Sequence, residues 1–524
     1  MNNIISILDS TLRDGAQAEG ISFSVEDKLN VIISLDRLGV EYIEAGNPGA
    51  NPKDIELFNK LKNIKLKNAK IVSFGSTRRK YISTQEDENL NALLSAQTEY
   101  VSIFGKCSKN HVLNVICADE AENYNMIMDS CRFLKDNNRK VFFDAEHFFE
   151  GFKDNPDFAL KMLNSAIEGG CAYIILCDTN GGTFPEDIFD ITKSVVELFD
   201  IPIGIHTHND NGLAVANSLA AVRAGARQVQ GTYLGFGERC GNANLSTIIP
   251  SMQLKLGYRC IPKENINLLT TVARRISEIS NISLNKSEPY VGMSAFAHKA
   301  GMHADGVLKI PSSFEHIDPY LIGNKRRFLM SEISGKKAVY NRVKDIYPEI
   351  KQNSKEIESI IKDIKEKELI GYQFEGADGS FELLVRKQLG IFEEKFKLIS
   401  YKIITFCSPV DGDGSSAQAI VKIDVNGKKQ LMAAEGNGPI NALDKALRKA
   451  LEIFFPELNQ VRLIDYKVRV VNPNMATAAT VRVLIVSTDG KRIWTTVGAS
   501  GDVVKASWLA LKDSIEYKLI CKDN

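Results

Sequence analysis

The sequence predicts a mixed α/β protein: a (β/α)8 TIM barrel, then a helical linker region, then a C-terminal α+β domain with duplicated ββα units. Three observations predict it. Through residue 240, short β-rich runs alternate with stretches of helical spacing, and eight such units fit a closed parallel barrel. The competing fold is a doubly wound open sheet, but the glycine-rich dinucleotide turn expected after its first strand is missing. Beyond residue 395 the texture changes to hairpin patterns that occur twice.

The strand-like runs are residues 5–9, 42–45, 70–74, 100–104, 140–144, 173–177, 203–206 and 228–232. Helical spacing fills 26–38, 55–61, 88–96, 121–134, 158–167, 186–198 and 212–224. In the first of these, Leu29, Ile32, Ile33 and Leu35 are expected to form one apolar face. Strands separated by whole helices pair in parallel, because each return is itself a helix.

The expected domains are a catalytic barrel at 1–275, helical linker subdomains at 276–395, and a regulatory or dimerisation domain at 396–524. Residues 354–367 read as an amphipathic surface helix. In the last domain, residues 420–425 alternate and turn at Asn426-Gly427; residues 481–485 repeat the pattern, with a turn at Asp489-Gly490. A glycine (Gly436, Gly498) and then a helix (439–451, 503–515) follow each hairpin. Such a domain serves either as a dimerisation module or as a ligand sensor.

Composition narrows the function. A chain of 524 residues exceeds the roughly 250–300 at which single cores stop growing, so at least two domains are expected. Lys+Arg and Asp+Glu are both 65, which removes the charge signature of a nucleic-acid binder. It also leaves little self-repulsion to oppose oligomers. No apolar run approaches membrane-spanning length and the first ten residues lack a signal-peptide pattern, so no membrane partner and a cytoplasmic location are expected. The nine cysteines, without a CxxC pair, read as reduced and mostly buried thiols.

In a barrel, chemistry gathers at the C-terminal ends of the strands. Asp9-Ser-Thr-Leu-Arg13-Asp14-Gly-Ala-Gln17 follows the first strand and brings Arg13, Asp14 and Gln17 to the mouth. Glu44 ends the second strand; Asp144, Glu146 and His147 end the fifth; Asp178-Thr179-Asn180 end the sixth. His206-Thr-His208 ends the seventh, and residues two apart on a strand share a face. Both imidazoles can therefore converge on one catalytic divalent metal, with Asp14 as third ligand. The alternative is a hydrogen-bonded polar pair. Arg13 could hold a substrate carboxylate or stabilise a developing enolate, or else form an ion pair with Glu44 or Glu146. Glu146 reads as a base, an orienting group or a structural partner of an arginine. The loop 235–242 lacks the Lys-Ser/Thr of a P-loop and reads as a tight turn presenting Glu238 and Asn242.

Four stretches together resemble the 2-isopropylmalate, homocitrate and citramalate synthase family. They are Asp9-Ser-Thr-Leu-Arg-Asp-Gly, His206-Thr-His-Asn-Asp, Gly237-Glu-Arg-Cys-Gly-Asn and His298-Lys-Ala-Gly-Met-His303-Ala-Asp-Gly. Gly75-Ser-Thr-Arg-Arg79, Phe104-Gly-Lys106 and Asp144-Ala-Glu-His-Phe-Phe149, among others, look most like the longer citramalate synthases of that family. The resemblance implies a Claisen-type condensation of acetyl-CoA with an α-keto acid, followed by thioester hydrolysis. Asp14, His206 and His208, with Asn242 beside them, would bind magnesium, manganese or zinc. Arg13, Gln17, Asp144 and Thr179 would contact substrate. Arg13, Glu146 and His303 would be catalytic, His303 being supplied across a homodimer. Tyr290 and Tyr320 are the candidates for an assisting tyrosine.

Pyruvate is the keto acid implied, with 2-oxoisovalerate (2-isopropylmalate synthase) or the homocitrate synthase substrate as alternatives. Isoleucine is the implied effector, bound by the loops at 411–416 and 472–479. An acyl-CoA lyase would lack the duplicated domain; an amino-acid sensor on a dead barrel would not need Arg13, Asp14, Glu146, His206, His208 and His303.

Overall fold

The computed structural model describes residues 3–298, 301–328, 336–406, 416–471 and 479–520. It contains two compact units, Met1–Phe296 with Glu315–Arg326, and Ala297–Phe314 with Arg327–Asn524.

The first unit is built on a closed barrel of parallel strands: β1 (Ser6–Asp9), β2 (Tyr42–Gly46), β3 (Lys70–Ser76), β4 (Tyr100–Lys106), β5 (Lys140–Glu146), β6 (Tyr173–Asp178), β7 (Ile203–Thr207) and β8 (Gln228–Gly231). β1 closes on β8 in register from Ser6↔Gln228 to Asp9↔Gly231. Leu8, Tyr42, Val72, Tyr100 and Phe142 fill one part of the interior, with the Tyr42 and Phe142 rings edge-to-face at 5.1 Å. Tyr42 and Tyr100 begin their strands, so this plug sits toward the N-terminal end of the barrel. The polar strand ends are left to line the opposite mouth.

The helix Val25–Leu38 shows how the outer layer is specified. Ser24 and Asp27 form a capping box, and Leu29, Val31, Ile32, Leu35 and Leu38 face the core. Ile33 does not: it is 53% exposed. At 100° per residue it lies a step round the helix from Ile32, and Val31 and Leu38 complete the buried stripe instead.

In the second unit, helices Lys336–Ile346, Lys355–Leu369 and Asp378–Gln388 pack around Ile357, Ile360, Phe374 and Phe381. Ser354 caps the expected amphipathic helix, which buries only Ile357, Ile360 and Ile364. Two short strands, β9 (Ala297–His298) and β10 (Arg327–Phe328), pair in parallel. Then come two antiparallel three-stranded sheets, β11 (Lys397–Phe406), β12 (Ser416–Val425) and β13 (Lys428–Gly436), and β14 (Arg462–Val470), β15 (Val481–Thr488) and β16 (Ile493–Ser500). Helices Pro439–Leu451 and Val503–Ile520 follow them. Val421, Leu443, Val483 and Leu511 belong to one core shared by both repeats.

Each ββα unit thus has a further strand ahead of it. β11 and β14 are edge strands with no fully buried position. β14 alternates Ile464, Tyr466, Val468 and Val470 against Asp465, Lys467 and Arg469, whereas adjacent apolar pairs in β11 (Leu398-Ile399, Ile403-Ile404) blur its period. The two turns also differ. Asn426 (φ 51°) and Gly427 (φ 83°) make a two-residue hairpin. At Asp489-Gly490 the loop spans four residues, because the Asp489 carboxylate accepts the Lys491 and Arg492 N–H groups and ties the loop to Lys518.

Among the described cysteines all seven are free and five are buried. No described helix is long and apolar enough to cross a membrane.

Candidate active site

β1 ends at Asp9, and the turn beyond it carries Arg13 and Asp14 into the mouth. Arg13 is held on three sides. Its Nε donates to Glu44 Oε2 at 2.6 Å, its terminal nitrogen to Asp14 Oδ2 at 2.8 Å, and its guanidinium lies 3.7 Å over the Phe74 ring. The ion pair with Glu44 is one of the arrangements the sequence left open. Burial would lower the Arg13 pKa, but the Glu44 and Asp14 carboxylates outweigh it and raise it.

β7 delivers the two histidines. His206 Nε2 lies 3.3 Å from His208 Nε2 and 3.7 Å from Asp14 Oδ2. Asp14, His206 and His208 each offer a ligand atom, all within 4.8 Å of one another and all buried. Burial, with His208 alongside, pushes His206 down to about 3, so its imidazole is neutral near pH 7. Burial likewise lowers His208. For Asp14 burial works upward, but Arg13 first, then the imidazoles and the Asn242 amide, hold it at about 2.

Asn242 comes from the loop after β8, which returns to pair with the end of β7 at His208↔Asn242. Its Nδ2 donates to Asp14 Oδ1 at 2.9 Å. Only a glycine at 237 lets it approach: a Cβ there (φ 159°) would stand 2.1 Å from Asn242 Nδ2. Asn242 Oδ1 and His208 Nδ1 are buried without a hydrogen-bond partner. Two neutral imidazoles, an ionised carboxylate and an unsatisfied amide oxygen make a donor set that fits a divalent cation.

The other expected site residues lie around this cluster or away from it. Asp144 is buried on β5; its oxygens accept from Ser102 Oγ at 2.8 Å and Gln230 Nε2 at 3.2 Å. Burial, then the Glu44 charge, pushes it up to about 7. Glu146 ends β5 opposite Lys106 on β4, and the two side chains are ion-paired. Thr179 Oγ1 accepts the His147 N–H at 2.8 Å, tying the ends of β5 and β6 together. Gln17 is exposed on the short turn Gly15–Gln17. Glu238 is exposed beside Arg239, which is paired with Asp210 at 2.7 Å.

Tyr290 is buried with its hydroxyl 2.9 Å from Ser251 Oγ, whereas Tyr320 is 59% exposed. His303 belongs to the second unit, on helix Gly301–Lys309, exposed and stacked on Phe314 at 4.2 Å. The loop residues 411–415 and 472–478 lie outside the described residues.

Sequence reasoning did not single out Gln230 or the pairing of Lys106. A signal existed for the first. Gln228, Gln230 and Thr232 alternate along the last strand, and polar residues of period two inside a barrel face the interior.

A closed parallel barrel with this cluster at its mouth places the chain in a class: residues 4–276 match the HMGL-like family. Residues 290–370 match the homocitrate synthase post-HMGL domain-like family, and 375–519 the LeuA allosteric (dimerisation) domain. The (R)-citramalate synthase of Aquifex aeolicus is 50% identical, over 98% of this chain and 98% of that protein. A probable 2-isopropylmalate synthase of Methanosarcina mazei is 31% identical over 99% and 96%. Among solved structures, the HMG-CoA lyase of Bacillus subtilis is similar at 22% identity and a TM-score of 0.46, covering 54% of this chain and 97% of that one. The chain belongs to the (R)-citramalate synthase family.

Proposed function

We propose that this protein is a cytoplasmic, homodimeric (R)-citramalate synthase. It would join acetyl-CoA to pyruvate in a Claisen-type condensation and then hydrolyse the thioester, so that acetyl-CoA, pyruvate and water give citramalate, free coenzyme A and a proton. The observation that carries the reading is near-full-length similarity at 50% identity to an (R)-citramalate synthase. The convergent Asp14, His206 and His208 at the barrel mouth support it.

A divalent cation (magnesium, manganese or zinc) held by Asp14, His206 and His208, with Asn242 Oδ1 beside them, supplies Lewis-acid polarisation of the keto carbonyl. This chain's own residues do the rest. Arg13, fixed by Glu44 and Phe74, offers its remaining N–H groups to the oxyanion that develops as the new carbon–carbon bond forms. Gln17, Asp144 and Thr179 contact the keto acid. Glu146 takes a proton from the acetyl methyl group, its carboxylate kept at the strand end by Lys106. His303, contributed by a second copy, serves acid/base roles. The C-terminal repeats provide the dimer contact and bind isoleucine as feedback effector, in keeping with the LeuA-type match over 375–519.

The test is a thiol-release assay with pyruvate, 2-oxoisovalerate and 2-oxoglutarate, with and without isoleucine. Pyruvate is expected to be preferred. Preference for 2-oxoisovalerate would make the protein a 2-isopropylmalate synthase, and preference for 2-oxoglutarate a homocitrate synthase. Isoleucine altering neither turnover nor thermal stability would remove the effector.

A further inference from the structure

His206 makes a second hydrogen bond that points away from the cluster. Its Nδ1 lies 3.2 Å from Gln230 Oε1. Gln230 stands directly across from His206 in the parallel register of β7 and β8, and is fully buried. The other end of the amide faces acceptors: Asp144 Oδ1 at 3.2 Å and Gln228 Oε1 at 3.5 Å. Asp144 is itself held by Ser102 Oγ at 2.8 Å.

These neighbours decide which way the amide points. With Asp144 ionised, and its other oxygen taking the Ser102 hydroxyl, Oδ1 only accepts; the NH2 group then lies on that side and the carbonyl oxygen faces His206. A carbonyl oxygen only accepts, so His206 Nδ1 carries the proton. A neutral imidazole has one N–H, which leaves Nε2 as a bare lone pair. That lone pair is the atom 3.7 Å from Asp14 Oδ2 and 3.3 Å from His208 Nε2. With the opposite tautomer, an N–H would point into the donor cluster and block it.

We infer that Gln230 is a positioning residue for the cation site: its amide, anchored by Asp144 and Ser102, holds His206 in the Nδ1–H tautomer and aims Nε2 at the cluster. The inference rests on the proposed reading of Asp14, His206 and His208 as cation ligands. It adds a residue that touches neither cation nor substrate. Partners of this kind fix a ligand's tautomer and ring orientation, and losing one weakens metal affinity roughly 10–100-fold.

Two variants of the full-length protein separate the role from simple packing. Gln230→Met keeps length and bulk but has no acceptor for His206. Gln230→Glu keeps an acceptor oxygen and loses the amide donor. In calorimetric titration of metal-stripped protein with Mn2+, Gln230→Met is expected to bind about 10–100-fold more weakly than the parent, and Gln230→Glu to retain the parent's affinity. Circular dichroism melts report whether each variant folds.

A second readout needs no cation. In 15N-histidine-labelled, metal-stripped protein, His206 of the parent should show Nδ1–H alone, and Gln230→Met a mixture of tautomers. Parent-like Mn2+ affinity in folded Gln230→Met, or a parent His206 protonated on Nε2, overturns the inference. A parent that binds Mn2+ no better than His206→Ala overturns the cation reading instead, and the tautomer spectrum then decides the role of Gln230 alone.

Discussion

Arg13 Nε stands 2.6 Å from Glu44 Oε2, and Glu44 has no exposed surface. The carboxylate that ends β2 therefore fixes the orientation of the guanidinium that follows β1. Glu44 also accepts from Ser10 Oγ at 2.6 Å, so removing it frees two partners at once. Breaking one side of a fully isolated buried pair costs roughly 3–5 kcal/mol; here Asp14 still faces the guanidinium at 2.8 Å, so a smaller loss is expected. Glu44→Ala is expected to lower the melting temperature of the barrel unit and to reduce kcat more than Glu44→Gln, which keeps an acceptor. Equal kcat for both variants and the parent would show that Arg13 needs no fixed orientation.

The cluster of Asp14, His206 and His208 leads to a second prediction. Stripping divalent cations with a chelator should reduce pyruvate-dependent thiol release to background, and adding back magnesium, manganese or zinc should restore it. His206→Ala should stay at background after the addition while its circular dichroism spectrum matches the parent. Full turnover in that variant would remove His206 from the ligand set.

Much of this site was legible because barrels place function by position. The eight strand runs, the His-x-His spacing and the carboxylates at strand ends are local features, and β1 to β8 follow in chain order. What escaped depends on neighbours brought in by closure. Gln230 meets Asp144 across 86 residues of chain, and no spacing encodes that contact. Lys106 meets Glu146 only because β4 and β5 pair in that register. β11 escaped for another reason: its adjacent apolar pairs and the register shift after Leu398 blur the period of two, whereas β14 carries a readable alternation from Ile464 to Val470 that sequence reasoning missed.

The duplicated glycines make a third prediction. A Cβ on Gly498 would lie 2.0 Å from the Ala506 carbonyl oxygen, and one on Gly436 would lie 2.5 Å from the Ala442 nitrogen. Both contacts are with the backbone of the helix that follows, which cannot yield as a flexible side chain would. Gly498→Ala and Gly436→Ala are each expected to destabilise the C-terminal unit by about 1–3 kcal/mol. Gly501→Ala meets nothing within 4 Å and serves as the neutral control. Thermal melts of the full chain would read the difference, and melts in which all three variants match the parent would sink the idea that strand-to-helix approach requires glycine.

Glu516 supplies a pH dependence whose sign can be worked out. It is fully buried on helix Val503–Ile520, and burial raises its pKa from 4.5 to about 7, against the pull of Lys512 at 3.8 Å. Between those two values the folded chain holds a proton that the unfolded chain has lost. Stability contributed by this group therefore falls as pH rises through that window, and the full penalty is present above about 7. Glu516→Gln removes the charge with little change of shape, while Lys512 keeps its 2.7 Å contact with Glu394. The variant should match the parent at pH 4.5 and exceed it at pH 8, by up to roughly 3 kcal/mol at 1.36 kcal/mol per pKa unit. Denaturant unfolding at the two pH values checks this directly. A stability difference that is the same at both would mean that Glu516 does not titrate on folding, and that its carboxylate is already compensated at every pH.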